Sequence, residues 1–202
     1  LIELSTEISH RVDFALLCNA RGFKDAVEIG TDLGRFAKDF LDRFKGNWLF
    51  CVDPYEPHPD FSYDRSGDLI VAAQALAPHH GRFRFVRARS TDAVAWVARV
   101  ISPEFIYIDG SHEEPDVTAD LLAWWDILPT RGMLAGHDFD DDHPGVIEAV
   151  TAFAGARNLT VRLTHEKDAP PSWYIYKKEP EILFHRFFRF DESANAAYTR
   201  AT

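Results

Sequence analysis

The sequence is poor in sulfur and in positive charge, and it has no long hydrophobic run. Two cysteines and one methionine occur in 202 residues. Cys18 and Cys51 show no metal-ligand spacing, and Cys51 falls within an apolar stretch. Both are expected to be reduced core thiols, as in a cytoplasmic protein. No apolar run approaches the ~20 residues that a membrane-spanning helix requires, so no membrane partner is expected. The first ten residues carry Glu3 and Glu7 and no Lys or Arg, unlike the basic start of a signal peptide. Asp and Glu number 32 against 22 Lys and Arg, a net charge of −10 that opposes binding to nucleic acid. There are no repeats or low-complexity tracts. The 46% hydrophobic content is enough for a compact core and excludes wholesale disorder.

What is present is a regular alternation of helix and strand. A weak helical pattern (Ile8, Val12, Ala15, Leu16) occupies residues 1–20. A buried strand follows at Ala26 to Ile29, then a glycine turn and a helix carrying Leu33, Phe36, Ala37, Phe40, Leu41 and Phe44 at helical spacing. Further strands are predicted at 48–52, 83–87, 105–108 and 133–135. Helices are predicted at 68–77, from a Thr91-Asp92 cap to about Ile101, from Pro115, and from Pro144. The Pro115 helix is expected to bury Leu121, Leu122, Trp124, Trp125 and Leu128. Residues 54–67 form a long loop of the kind that serves as a lid, with His58 within reach of a substrate. Leu159 to Leu163 and Trp173 to Tyr176 read as an antiparallel hairpin. The fold class is therefore α/β, a doubly wound Rossmann-like, mostly parallel seven-stranded sheet ending in that hairpin. One domain is expected over residues 1–178, with its core at 25–178. Residues 179–202 form an extension whose aromatic cluster suits a cap or a homo-oligomer contact.

Candidate chemistry gathers where the parallel strands end. Asp25-Ala26-Val27-Glu28-Ile29-Gly30-Thr31-Asp32-Leu33-Gly34 delivers a strand into a glycine-rich turn, where backbone N–H groups can approach a ligand. Its spacing, Glu-x-Gly-x-x-x-Gly, lacks the Gly-x-Gly-x-x-Gly fingerprint of nicotinamide binding. Asp53 ends the next strand 23 residues after Gly30, where a carboxylate can accept from ribose hydroxyls; a plain turn before Pro54 is the alternative. Asp109 and Asp138 end two further strands and could converge on a hard cation such as Mg²⁺, or serve as a ligand contact and a helix cap. His112 and His137 each lie within three residues of such an aspartate and are the candidate proton acceptors. His137 is expected to point away from Asp138 because successive strand residues alternate.

These stretches, together with Cys51-Val52-Asp53, Arg89-Ser90-Thr91-Asp92, Ile108-Asp109-Gly110-Ser111-His112 and Ala135-Gly136-His137-Asp138, resemble the motifs of class I S-adenosylmethionine-dependent methyltransferases. The group most similar is the small-molecule O-methyltransferases of macrocin and catechol type. The resemblance implies cofactor contacts from Glu28, Gly30, Thr31, Asp32, Gly34, Asp53, Ser90, Thr91 and Asp109. It implies metal ligation by Asp109 and Asp138, with Mg²⁺ as the ion, and a base at His112 with His137 as its rival. Those families place an acidic or amide ligand directly after the second aspartate, whereas here Phe139 follows. The expected activity is metal-assisted O-methylation of a small hydroxylated molecule, a sugar or a phenol. The alternatives are a non-catalytic S-adenosylmethionine-binding module and a related metal-using enzyme of oxidation or hydrolysis.

Overall fold

The strands are β1 (Ile2–Leu4), β2 (Asp25–Ile29), β3 (Trp48–Val52), β4 (Phe83–Val86), β5 (Phe105–Ile108), β6 (Met133–Gly136), β7 (Val161–Leu163) and β8 (Trp173–Tyr176). The α-helices are α1 (Phe14–Arg21), α2 (Arg35–Arg43), α3 (Asp68–Leu76), α4 (Ser90–Val100), α5 (Glu114–Ile127) and α6 (Pro144–Gly155). In this computed structural model the described residues are 1–56, 65–166 and 169–178. The middle of the expected lid, with His58, and the 179–202 extension lie outside them. The strands form one sheet of order β1-β7-β8-β6-β5-β2-β3-β4, parallel except where β8 runs against β6 and β7. The doubly wound sheet with a terminal antiparallel hairpin is thus the architecture.

Strand periodicity sorts the core into two layers. Val27, Ile29, Phe50, Val52, Ile106 and Ile108 face one side, packing with Val97, Leu121, Trp124, Val146 and Val150 from α4, α5 and α6. Their alternates Ala26, Leu49, Cys51, Phe105 and Tyr107 face α1 and α2, where Phe14, Phe36 and Phe40 pack. Phe36 stacks on Tyr107 with ring centroids 3.9 Å apart, fixing α2 over β5. Cys18 and Cys51 are both free and buried. Among the described residues, no helix is long and apolar enough to cross a membrane.

Four local expectations change. Residues 1–20 are not simply helical: Ile2–Leu4 pairs in parallel with β7, giving eight strands among the described residues instead of seven. This edge strand is exposed along its whole length, so it carries no apolar alternation for a sequence reading to detect. The inward face of α1 is Phe14, Ala15, Leu17 and Cys18, whereas Leu16 is 52% exposed. In α5 the buried stripe is Val117, Leu121 and Trp124 at helical spacing, and Leu122 falls outside it. Finally, α4 begins at Ser90 after an extended Arg89, which places Thr91 and Asp92 inside its first turn instead of at the cap.

The chain winds outward from β2 through β3 to β4, then resumes with β5 on the other side of β2. That reversal opens a crevice beyond the carboxyl ends of β2 and β5, the place where open α/β sheets accept ligands.

Candidate active site

The turn after β2 is built by glycines that no other residue could replace without strain. Gly30 has φ +83° and donates its N–H to Val52 O at 2.9 Å. A Cβ on it would lie 1.9 Å from the carbonyl oxygen of Asp109, so the ends of β2 and β5 close up only around glycine. Gly34, with φ +76°, starts α2. Beneath this turn Glu28 is 1% exposed, and one of its carboxylate oxygens has no hydrogen-bond partner. Burial pushes its pKa up to about 8; Thr31 beside it works the other way, and the charges of Asp109 and Asp53 add to the rise.

Asp53, at the end of β3, is buried and accepts hydrogen bonds at both carboxylate oxygens. Its Oδ1 accepts from the Tyr55 amide at 2.7 Å, and its Oδ2 accepts from the Asp32 amide at 3.0 Å and from Arg65 at 3.2 Å. Arg65 also reaches Asp32 at 3.4 Å and Asp68 at 3.1 Å, so one buried guanidinium joins three carboxylates. Arg65 was not singled out from the sequence, since a single arginine inside a long loop gives no local signal.

A second cluster lies at the ends of β5 and β6, around an open pocket lined by Asp109, Gly110, Ser111, His112, His137, Asp138 and Trp173 among others. Asp138 is its centre. Its Oδ2 is 3.0 Å from His112 Nε2 and its Oδ1 is 2.8 Å from His137 Nδ1. Burial opposes its charge, but the hydrogen bonds from these two imidazoles prevail and hold the carboxyl below the usual range. His137 Nδ1 is also 3.8 Å from Asp109 Oδ1. Burial lifts Asp109 to about 6, against the lowering effect of His137. For His137 itself burial favours the neutral ring, yet the Asp138 hydrogen bond and the Asp109 charge raise its pKa. Contrary to the alternation expected along a strand, His137 and Asp138 meet. Asp138 has φ +57°, so extended geometry has already ended at Gly136.

Several partners in this cluster escaped the sequence reading. Arg11, from the short turn before α1, lies 3.4 Å from His137 Nε2. Trp173 of β8 donates its indole N–H to the His137 carbonyl at 3.2 Å, its ring covering Gly136. His143, just ahead of α6, sits 3.9 Å from Asp138 and accepts or donates at 2.8 Å with Asp140. The other expected site residues are dispersed. Ser90 Oγ accepts from Trp124 Nε1 at 2.7 Å, and Thr91 is exposed. Among the described residues, ligand atoms converge within 4.8 Å of one another in two overlapping groups, Asp109–His137–Asp138 and His112–Asp138–His143. The first group offers two carboxylates and one imidazole and the second one carboxylate and two imidazoles, whereas Mg²⁺ prefers oxygen throughout.

The fold is shared with known proteins. A sequence profile described as a methyltransferase domain matches residues 27–139. No curated protein sequence matches the chain. Among solved structures, an O-methyltransferase from Bacillus cereus in complex with S-adenosylhomocysteine is similar, with a TM-score of 0.63 at 12% identity over 86% of this chain and 84% of that one. CalS11, a TDP-rhamnose 3′-O-methyltransferase of calicheamicin biosynthesis, gives 0.63 at 16% identity over 83% and 78%. An rRNA methylase from Streptococcus thermophilus gives 0.61 at 14% identity over 85% and 99%. At these identities the likeness establishes the fold alone.

Proposed function

The chain belongs to the class I S-adenosylmethionine-dependent methyltransferases, and from that premise we propose that it methylates a hydroxyl group of a small molecule, a sugar or a phenol. The observation that carries this reading is the 3.0 Å pairing of His112 Nε2 with Asp138 Oδ2 in the pocket beyond β5 and β6. The cofactor's sulfonium and ammonium groups are cationic, and acids gather at these strand ends: Asp32, Asp53 and Asp109, with Glu28 buried beneath the turn. The unpartnered oxygen of Glu28 and the close-packed Gly30 turn fit such a ligand. Asp53 would accept from the ribose, sharing its carboxylate with Arg65. Net charge −10 argues against a nucleic-acid acceptor, although the fold is shared with an rRNA methylase.

In the reaction the acceptor oxygen attacks the methyl carbon, the carbon–sulfur bond breaks, and the hydroxyl proton must leave. His112 takes that proton, and Asp138 fixes the ring and stabilises the imidazolium that forms. His137, held between Asp138 and Arg11, orients Asp138. A divalent cation held by Asp109 and Asp138 would polarise the same hydroxyl, a second reading supported by their convergence within 4.8 Å.

The test is turnover with S-adenosylmethionine and a panel of sugars and phenols, read as S-adenosylhomocysteine by mass spectrometry. His112→Ala should cut turnover by about 10²–10⁴-fold, the usual worth of a general base, and leave cofactor affinity intact. Cofactor binding without turnover of any hydroxyl acceptor would favour a binding module instead. Undiminished turnover in excess chelator would remove the cation.

A further inference from the structure

His143 has no part in the methyl-transfer reading, yet the fold brings it to the same aspartate. The cause is Gly145. A Cβ there would lie 2.4 Å from His112 O and 2.7 Å from the Glu114 amide nitrogen, so only glycine lets the start of α6 press against the loop entering α5. That close approach sets the His112 and His143 rings side by side, with centroids 4.4 Å apart. Asp138 completes the group: Oδ2 lies 3.0 Å from His112 Nε2 and Oδ1 lies 3.9 Å from His143 Nδ1. Ligands bound at 2.0–2.2 Å to one tetrahedral ion sit about 3.3–3.6 Å apart, so small side-chain rotations close this set.

The donors are two imidazoles and one carboxylate. Mg²⁺ prefers oxygen throughout, whereas imidazole suits Zn²⁺, Co²⁺ and Ni²⁺. His143 Nδ1 now pairs with Asp140 Oδ1 at 2.8 Å. An ion at that nitrogen replaces the hydrogen bond and leaves the Asp140 carboxylate nearby to offset its charge. His137 Nδ1, 2.8 Å from Asp138 Oδ1, holds the shared carboxylate in place, as outer partners of a metal ligand do.

We propose that His112, Asp138 and His143 form a site for a borderline divalent transition-metal ion of the Zn²⁺ class, and that its occupancy blocks methyl transfer by making a ligand of His112. The binding half stands on geometry alone; the inhibition half rests on His112 as the proton acceptor.

The experiment uses metal-stripped full-length protein titrated with Co²⁺ and Zn²⁺, followed by calorimetry and by the visible absorption of bound Co²⁺. Wild type should bind one ion per chain at this site, give Co²⁺ bands of low-coordinate intensity, and retain them in millimolar Mg²⁺. His143→Ala and the more conservative His143→Gln, both checked for folding by circular dichroism, should weaken binding by at least ~10–100-fold, the loss that even an outer partner of a metal ligand can cause. Equal Co²⁺ binding by wild type and both variants, or displacement of Co²⁺ by Mg²⁺, overturns the site. In turnover assays Zn²⁺ should inhibit wild type, while His143→Ala, measured against its own metal-free rate, should resist Zn²⁺. Equal inhibition of the two overturns the inhibitory role. If no hydroxyl acceptor is turned over, the function reading fails while the Co²⁺ titration still decides the site.

Discussion

Replacing Glu28 with glutamine removes one titration from the centre of the sheet. The carboxyl is 1% exposed, and burial with the charges of Asp109 and Asp53 raises its pKa from 4.5 to about 8. Between those values the folded chain holds a proton that the unfolded chain has released. Stability therefore falls as pH rises through this window, by about 1.4 kcal/mol per pH unit, and Glu28 adds no slope below 4.5 or above 8. Integrated from pH 4.5 to pH 7, the loss is roughly 3 kcal/mol. Glutamine keeps the shape without the ionisation. Glu28→Gln should match wild type near pH 4 and be more stable by up to ~3 kcal/mol at pH 7, about 6–12 °C in Tm for a chain of this size. Denaturant titrations of the cofactor-free protein at pH 5, 6, 7 and 8 measure the difference, in which titrating groups that do not interact with Glu28, such as Asp120, cancel. A wild-type-minus-variant difference that stays flat across this range refutes the reasoning. The cofactor supplies a second check. A cation binding beside Glu28 favours its ionised form, so wild-type affinity for S-adenosylmethionine should climb by up to about tenfold per pH unit below 8. The glutamine variant should show no such rise.

Asp53→Asn should weaken S-adenosylmethionine binding by about 1.5–3 kcal/mol, the worth of a charged hydrogen bond, as read by calorimetry. It should also lower Tm, because buried Arg65 loses one of its three carboxylate partners; unchanged affinity in the folded variant would remove Asp53 from the ribose site. Gly30→Ala should cost about 2–6 kcal/mol, the sum of a left-handed backbone conformation and a Cβ lodged against the Asp109 carbonyl. A denaturation midpoint within error of wild type would contradict the described approach of β2 to β5.

Much of the fold was legible because its signals are local. Alternation in Ala26–Ile29, Leu49–Val52 and Phe105–Ile108 follows from the two-residue period of a strand, and Phe36, Ala37, Phe40 and Leu41 from the helical period of 3.6. The glycine spacing after β2 and the acids at strand ends belong to the same short-range grammar, so the positions of Glu28, Gly30, Asp53, Asp109 and Asp138 at or beside strand ends were legible. The tertiary structure decided what these residues touch. Arg11 reaches His137 across 126 positions, and Ser5 pairs with Tyr174 across 169. His143 meets His112 because Gly145 lets α6 seat closely on the loop before α5. The left-handed turn at Asp138 cancels the alternation that would have separated it from His137. Backbone period is written into neighbouring residues, whereas the meeting of distant side chains depends on how closely whole elements pack, and no window of sequence contains that distance.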